Sequence, residues 1–212
     1  MKATLEHSAL IELIAWIDHH TSGITLPADE RSLLAVGCFD MTLEHQAAIA
    51  LLHSSELPGS TLALLRVLTE SLVRGLWLLH CATDDELAKF KRGKIDKEFK
   101  DLISEFEAKI GTPQGVLSGL KDRAWKAMNG FTHTGFVQVS RRHAAGRVEA
   151  NYPEHELAQA LDIAGALGMV AAGQLIGMSE RPELLPLYSA RMAEYGAQRP
   201  NPSFKRTPDG AA

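Results

Sequence analysis

The chain has 212 residues, with 22 Lys and Arg against 26 Asp and Glu, and 45% of its residues are hydrophobic but only 6% aromatic. That length suits one well-buried domain rather than two, and a formal net charge of −4 excludes a surface that attracts nucleic acid everywhere, so any polyanion site is a local patch. Two cysteines, Cys38 and Cys81, exclude a disulfide framework and read as reduced, buried thiols of a cytoplasmic protein; Met1 to His7 lacks the features of an export signal.

Leu5, Ala9, Leu13, Trp16 and Ile17 recur at three- and four-residue steps, which predicts an amphipathic helix over residues 4–20, ended by Gly23. Pro27 opens a second helix, with Asp29 and Glu30 in its first turn, that runs to His53. Pro58-Gly59-Ser60 breaks the chain, and Ser60 is expected to cap a third helix. Leu62, Leu65, Leu68, Leu72, Val73, Leu76, Trp77 and Leu79 make that helix apolar around its circumference, so it should be central.

Thr83-Asp84-Asp85-Glu86 caps a short polar helix, and Lys89 to Lys109 carries only a thin apolar stripe of Ile95, Phe99, Leu102 and Phe106. Residues 84–110 therefore read as a polar helix pair projecting outward. After Gly111-Thr112-Pro113, Val116, Leu117, Leu120, Ala124, Trp125 and Met128 mark a helix ending near Asn129-Gly130. Residues 131–152 fit neither period, and a short helix or a strand to Val139 both stay open. Pro153 begins a long helix through Met178, and Pro182 a shorter one ending near Tyr195.

The expected fold is all-α: a single-domain bundle of six to eight helices over residues 1–198, with residues 199–212 a disordered tail too rich in Pro and Gly to pack. The apolar run Ile163 to Met178 is shorter than the roughly 20 residues a membrane span needs, so no membrane association is expected. Gly165, Gly168, Gly173 and Gly177 instead predict close approach of another helix, within the bundle or across a homodimer.

A bundle with nine histidines invites a di-iron carboxylate site, which needs Glu and His three residues apart on facing helices. No histidine here has an acid three or four positions before it, so no metal is expected. Neither a phosphate-cradling glycine loop nor a nucleophile elbow is present, and no cofactor is implied.

Two constellations remain. Arg66, Glu70 and Arg74 share one face of the central helix, as either an ion-pair ladder fixing helix register or a polar binding pocket. Asn129, Thr132, His133, Thr134, Arg141, Arg142 and His143 gather just after a helix. There His can exchange protons near neutral pH and Arg can hold a phosphate, unless His133 merely caps the helix and the arginines are solvated.

Arg66-x-x-x-Glu70-x-x-x-Arg74 with Trp77, followed by Asn129-Gly-Phe-Thr-His133-Thr-Gly and Arg141-Arg142, resembles bacterial helical proteins related to the HEPN superfamily over residues 60–178. Many HEPN proteins are toxins or defence nucleases that cut RNA without metal, often as dimers, using an Arg or Asn a few residues ahead of a His. The resemblance implies catalytic Asn129, His133, Arg141 and Arg142, a binding face of Arg66, Glu70 and Arg74, and RNA held by a local basic patch. Here only three residues separate Asn129 from His133, fewer than is usual in that superfamily. The tail from Arg199 is similar to C-termini read through from an integron gene-cassette recombination site, which implies an accessory gene. The alternative expectation is a non-catalytic interaction or dimerisation module built on the glycine-rich helix.

Overall fold

A computed structural model describes residues 2–94, 97–112 and 115–197. Among these residues there are nine helices: α1 (Lys2–Thr21), α2 (Glu30–Ser54), α3 (Pro58–His80), α4 (Asp84–Lys91), α5 (Phe99–Lys109), α6 (Val116–Thr132), α7 (Phe136–Ser140), α8 (Glu154–Met178) and α9 (Leu184–Ala197). One two-stranded antiparallel hairpin, β1 (His143–Ala144) and β2 (Arg147–Val148), pairs His143 with Val148 and Ala144 with Arg147. The chain is a single all-α domain, as the sequence predicts, with one helix more than the expected range because the short α7 lies in the segment that fits no period.

The apolar circumference of α3 makes it central. It packs against α2, α5, α6 and α8, and Leu68, Leu72, Val73 and Leu78 along it are wholly buried. Full burial of each such side chain contributes about 1.5–3 kcal/mol. α1 lies on α8, and α8 also packs against α2 and α9. The tail, with the features that resemble a gene-cassette boundary, lies outside the described residues, as do Ile95 and Pro113.

Several helix ends follow side-chain chemistry. Asp29 stands outside α2 as its N-cap and accepts the Ser32 N–H at 3.0 Å, so the helix starts at Glu30 and Pro27 precedes it. Thr83 and Glu86 form the expected capping box at α4. Ser60 does not cap α3: the helix begins at Pro58 with Leu57 as N-cap and no side-chain cap, because proline supplies the pre-set φ of a first helical position. At the other end of α3, Arg31 Nη1 donates to the carbonyls of Leu78 (2.9 Å) and Ala82 (2.5 Å).

The polar 84–110 stretch does not project. Leu87, Leu102, Ile103 and Phe106 are buried, and α5 lies along α3, so the thin stripe is enough to seat it on the core. Glu107, 2% exposed, turns its carboxylate onto the start of α6. It accepts the N–H groups of Leu117 (2.9 Å) and Ser118 (3.0 Å) and the Ser118 hydroxyl (2.5 Å), which caps a helix whose own N-cap is Gly115.

The length argument against a membrane span fails, because α8 has 25 residues and is long and apolar enough to cross a bilayer. Its residues nevertheless sit among other helices, with Leu161, Ala164, Ala171 and Ile176 almost wholly buried. The glycine stripe is filled from inside the bundle. A Cβ on Gly168 would meet Gln46 Nε2 at 2.1 Å, and one on Gly165 or Gly173 would meet Tyr195 or Tyr188 of α9. Around Gly177 there is open space.

Candidate functional site

α6 ends one turn later than its Asn-Gly pair suggests. Its last helical residue is Thr132, and the Gly135 N–H bonds back to the Gly130 carbonyl at 2.7 Å. That bond closes a Schellman turn, which places Thr134 at the left-handed position usually held by glycine, with φ +52°. A β-branched residue there stores about 1–3 kcal/mol of backbone strain. The turn carries the chain directly into α7.

This geometry leaves His133 exposed on the last turn of α6, facing α3. Its backbone N–H donates to the Asn129 carbonyl at 3.0 Å, so the backbone does the capping and the imidazole is free for other work. Arg66 Nη1 lies 2.6 Å from His133 Nε2. A guanidinium has only donors, so Nε2 accepts and the proton of the neutral ring sits on Nδ1.

The ladder and the loop are thus one site. Arg66 Nε donates to Glu70 Oε1 at 2.8 Å, Arg74 Nη2 lies 3.7 Å from Glu70 Oε2, and the Arg66 guanidinium stands 5.1 Å from the Trp125 ring centroid, itself stacked on Phe99. The Arg66, Glu70 and Arg74 side chains are 22%, 18% and 42% exposed, so the ladder runs along the bundle surface rather than through the core. Asn129, one turn before His133, keeps its side-chain oxygen buried and without a partner among the described residues.

The two adjacent arginines diverge. Arg141 directs both Nη atoms onto the Glu156 carboxylate and lies over the Phe131 and Tyr152 rings, so its donors are turned inward to tie the hairpin region to α8. Arg142 is exposed and lines a cleft of about 360 Å³ formed by Leu57, Gly59 and Ser60 at the start of α3 with Thr134, Gln138, Val139 and Tyr152. Gln138 Oε1 and Tyr152 Oη are buried atoms with no hydrogen-bond partner among the described residues. Gly59 packs closely against them, since a Cβ there would stand 2.8 Å from Tyr152 Oη and force that ring to shift.

Of the residues singled out in the sequence, the fold links Arg66, Glu70, Arg74 and His133, leaves Asn129 one turn before His133 with its side chain in none of these contacts, places Arg142 in the cleft that Thr134 also lines and turns Arg141 away. His143 begins the hairpin and is exposed. Tyr152 and Gly59 escape a reading by motif. The one signal was the Pro-Gly pair at the start of α3, where glycine serves close packing rather than a break. Among the described residues no three His, Cys, Asp or Glu side chains come together as a metal site.

Residues 39–200 match the model of a family of unknown function, DUF6988. The chain belongs to that family. The DUF6988 match begins within α2 and takes in every element of the candidate site, from α3 through the start of α8. No curated protein and no solved structure matches the chain.

Proposed function

We propose that this protein is a metal-independent RNA-processing enzyme of the toxin or defence kind, as its resemblance to the HEPN superfamily implies. The observation that carries the reading is the 2.6 Å contact between Arg66 and His133, which joins an anion-binding guanidinium to a proton-exchanging imidazole at an exposed surface. Arg66 and Arg74 share the Glu70 carboxylate along α3, and Arg142 lines the cleft that also takes in Thr134, the neighbour of His133, so guanidinium groups recur along this side of an otherwise acidic chain.

In this reading a strand phosphate takes the Arg66 Nη1 donor from His133 while Glu70 keeps its bond to Arg66 Nε. The freed Nε2 takes the proton of a ribose 2′-hydroxyl as that oxygen attacks the adjacent phosphorus. The 2′-oxygen–phosphorus bond forms, the bond from phosphorus to the 5′-oxygen breaks, and His133 returns its proton to the leaving 5′-oxygen. The products are a 2′,3′-cyclic phosphate and a 5′-hydroxyl. Arg66 offsets the charge that develops on the phosphoryl oxygens. A cytoplasmic homodimer, with no membrane partner, is the setting this reading supplies.

A second reading, a non-catalytic interaction module, rests on a different surface from the glycine stripe. Phe136 (85% exposed), Val139 and Val148 (90% exposed) present apolar side chains on α7 and the hairpin. Incubating the folded protein with varied RNAs in excess EDTA separates the two. Cleavage to cyclic-phosphate ends that is lost in His133→Ala and Arg66→Ala supports the enzyme. Intact RNA, together with equal growth of bacteria expressing wild type or His133→Ala, refutes it and leaves the module.

A further inference from the structure

The cleft beside Arg142 carries an inference of its own. No acidic residue lines it, and Arg142 has no ion-pair partner among the described residues. Ser60 and Thr134 bring hydroxyls to it, and the Tyr152 and Gln138 side chains complete its wall. The N–H groups of Gly59 and Ser60, in the first turn of a 23-residue helix without a side-chain cap, lack intrahelical acceptors and add a partial positive charge.

We infer that this cleft binds a phosphate monoester, with Arg142 and the Ser60 and Thr134 hydroxyls on the phosphate and the group it is attached to lying against the Tyr152 and Gln138 side chains. A volume of about 360 Å³ exceeds what one phosphate fills and lies at the small end of ligand pockets, which suits a mononucleotide or the phosphorylated end of a strand. The inference deepens the RNA reading by naming where a terminal phosphate sits, but it concerns binding alone.

The test is calorimetric titration of the full chain at low salt with inorganic phosphate, with uridine 5′-monophosphate and with uridine. Saturable binding of the nucleotide is expected, weakened about ten-fold or more in Arg142→Ala, partly restored in Arg142→Lys, abolished in Gly59→Ala and unchanged in Arg147→Ala on the hairpin. Arg142 is exposed, so its substitution leaves folding intact even if Gly59→Ala does not fold. A nucleotide that binds well above inorganic phosphate identifies an attached nucleoside as part of the ligand, and equal affinities identify the phosphate as the whole of it. No saturation up to about 10 mM, affinity indifferent to Arg142→Ala, or uridine binding as tightly as its phosphate overturns the inference. RNA cleavage by a protein that binds no phosphate here refutes this inference alone, whereas cleft binding without cleavage refutes only the enzymatic reading.

Discussion

Gly168→Ala tests whether the glycine stripe of α8 is an internal seam. An added Cβ would stand 2.1 Å from Gln46 Nε2, 2.3 Å from Cδ and 2.5 Å from Oε1. Gln46 is the far end of a flexible side chain, yet it is 1% exposed and its Nε2 donates to the Ala164 carbonyl at 3.1 Å, so it has nowhere to swing without leaving a buried amide unpaired. Overpacking costs about 1–3 kcal/mol and the lost buried hydrogen bond about the same, while replacing glycine within a helix returns about 1 kcal/mol. The net is about 1–5 kcal/mol, or a fall in Tm of about 2–20 °C for a domain of this size. Thermal and urea unfolding followed by circular dichroism, with size-exclusion chromatography alongside, reads it out. Gly177→Ala, where no atom lies within 4 Å, should be neutral or slightly stabilising. The double variant Gln46→Ala, Gly168→Ala should show a favourable coupling of at least about 1 kcal/mol. If Gly168→Ala melts within about 2 °C of Gly177→Ala, the reasoning fails. Loss of a dimer at unchanged Tm would place the stripe at an interface between copies.

Other perturbations reach different parts of the bundle. Glu107→Ala removes the acceptor of three donors at the start of α6, the buried Leu117 N–H and the half-buried Ser118 N–H and hydroxyl, and should cost about 2–4 kcal/mol in urea unfolding, with Glu107→Gln intermediate because one amide oxygen remains. Arg141→Ala should lower stability by about 1–3 kcal/mol, a figure kept modest because the Arg141 and Glu156 side chains are 20% and 25% exposed. It should leave nucleotide binding in the cleft unchanged, and a selective loss of binding would return Arg141 to the site. His53 is held below the ordinary histidine pKa, first by burial and then by the nearby His7 charge. Its neutral form therefore contributes stability above about pH 6.5 that is lost as pH falls through that value toward its depressed folded pKa. His53→Gln should flatten the dependence of Tm on pH between about 7.5 and 5, and an unaltered slope would show that other groups set it. Burial pushes the Cys38 thiol up to about 11, so its alkylation at pH 8 should be far slower in the native chain than in urea.

The long apolar helices were legible because periodicity reports burial directly: α3 is central and α8 is internal, as their composition requires. Capping chemistry was legible where a short polar side chain stands at the right offset, as at Thr83 and Glu86. It misled where backbone geometry overrode residue preference. The turn after α6 sets a threonine at its left-handed position between His133 and Gly135, so Asn129-Gly130 looked like the end and the segment beyond looked shapeless. The polar character of residues 84–110 hid how few apolar side chains are needed to seat a helix on a large core. Within the candidate site, Arg66, Glu70 and Arg74 were visible as an i, i+4 series and His133 as a loop residue. Their meeting is a tertiary event, 67 residues apart in the chain, that no local pattern encodes. Arg141 and Arg142 are neighbours in sequence with opposite roles, because Arg141 points toward Glu156 and Arg142 toward the cleft.

The contact of Arg31 with the carbonyls of Leu78 and Ala82 gives the protein a polarity for engineering. Any added turn at the Ala82 end of α3 would expel a guanidinium that bridges two segments of backbone, whereas the other end opens onto an exposed linker in which Glu56 already adopts a left-handed φ of +57°. A glycine-serine insert or a split point belongs at residues 55–56, and a reporter grafted there would stand beside the cleft without severing the clasp that finishes the opposite end.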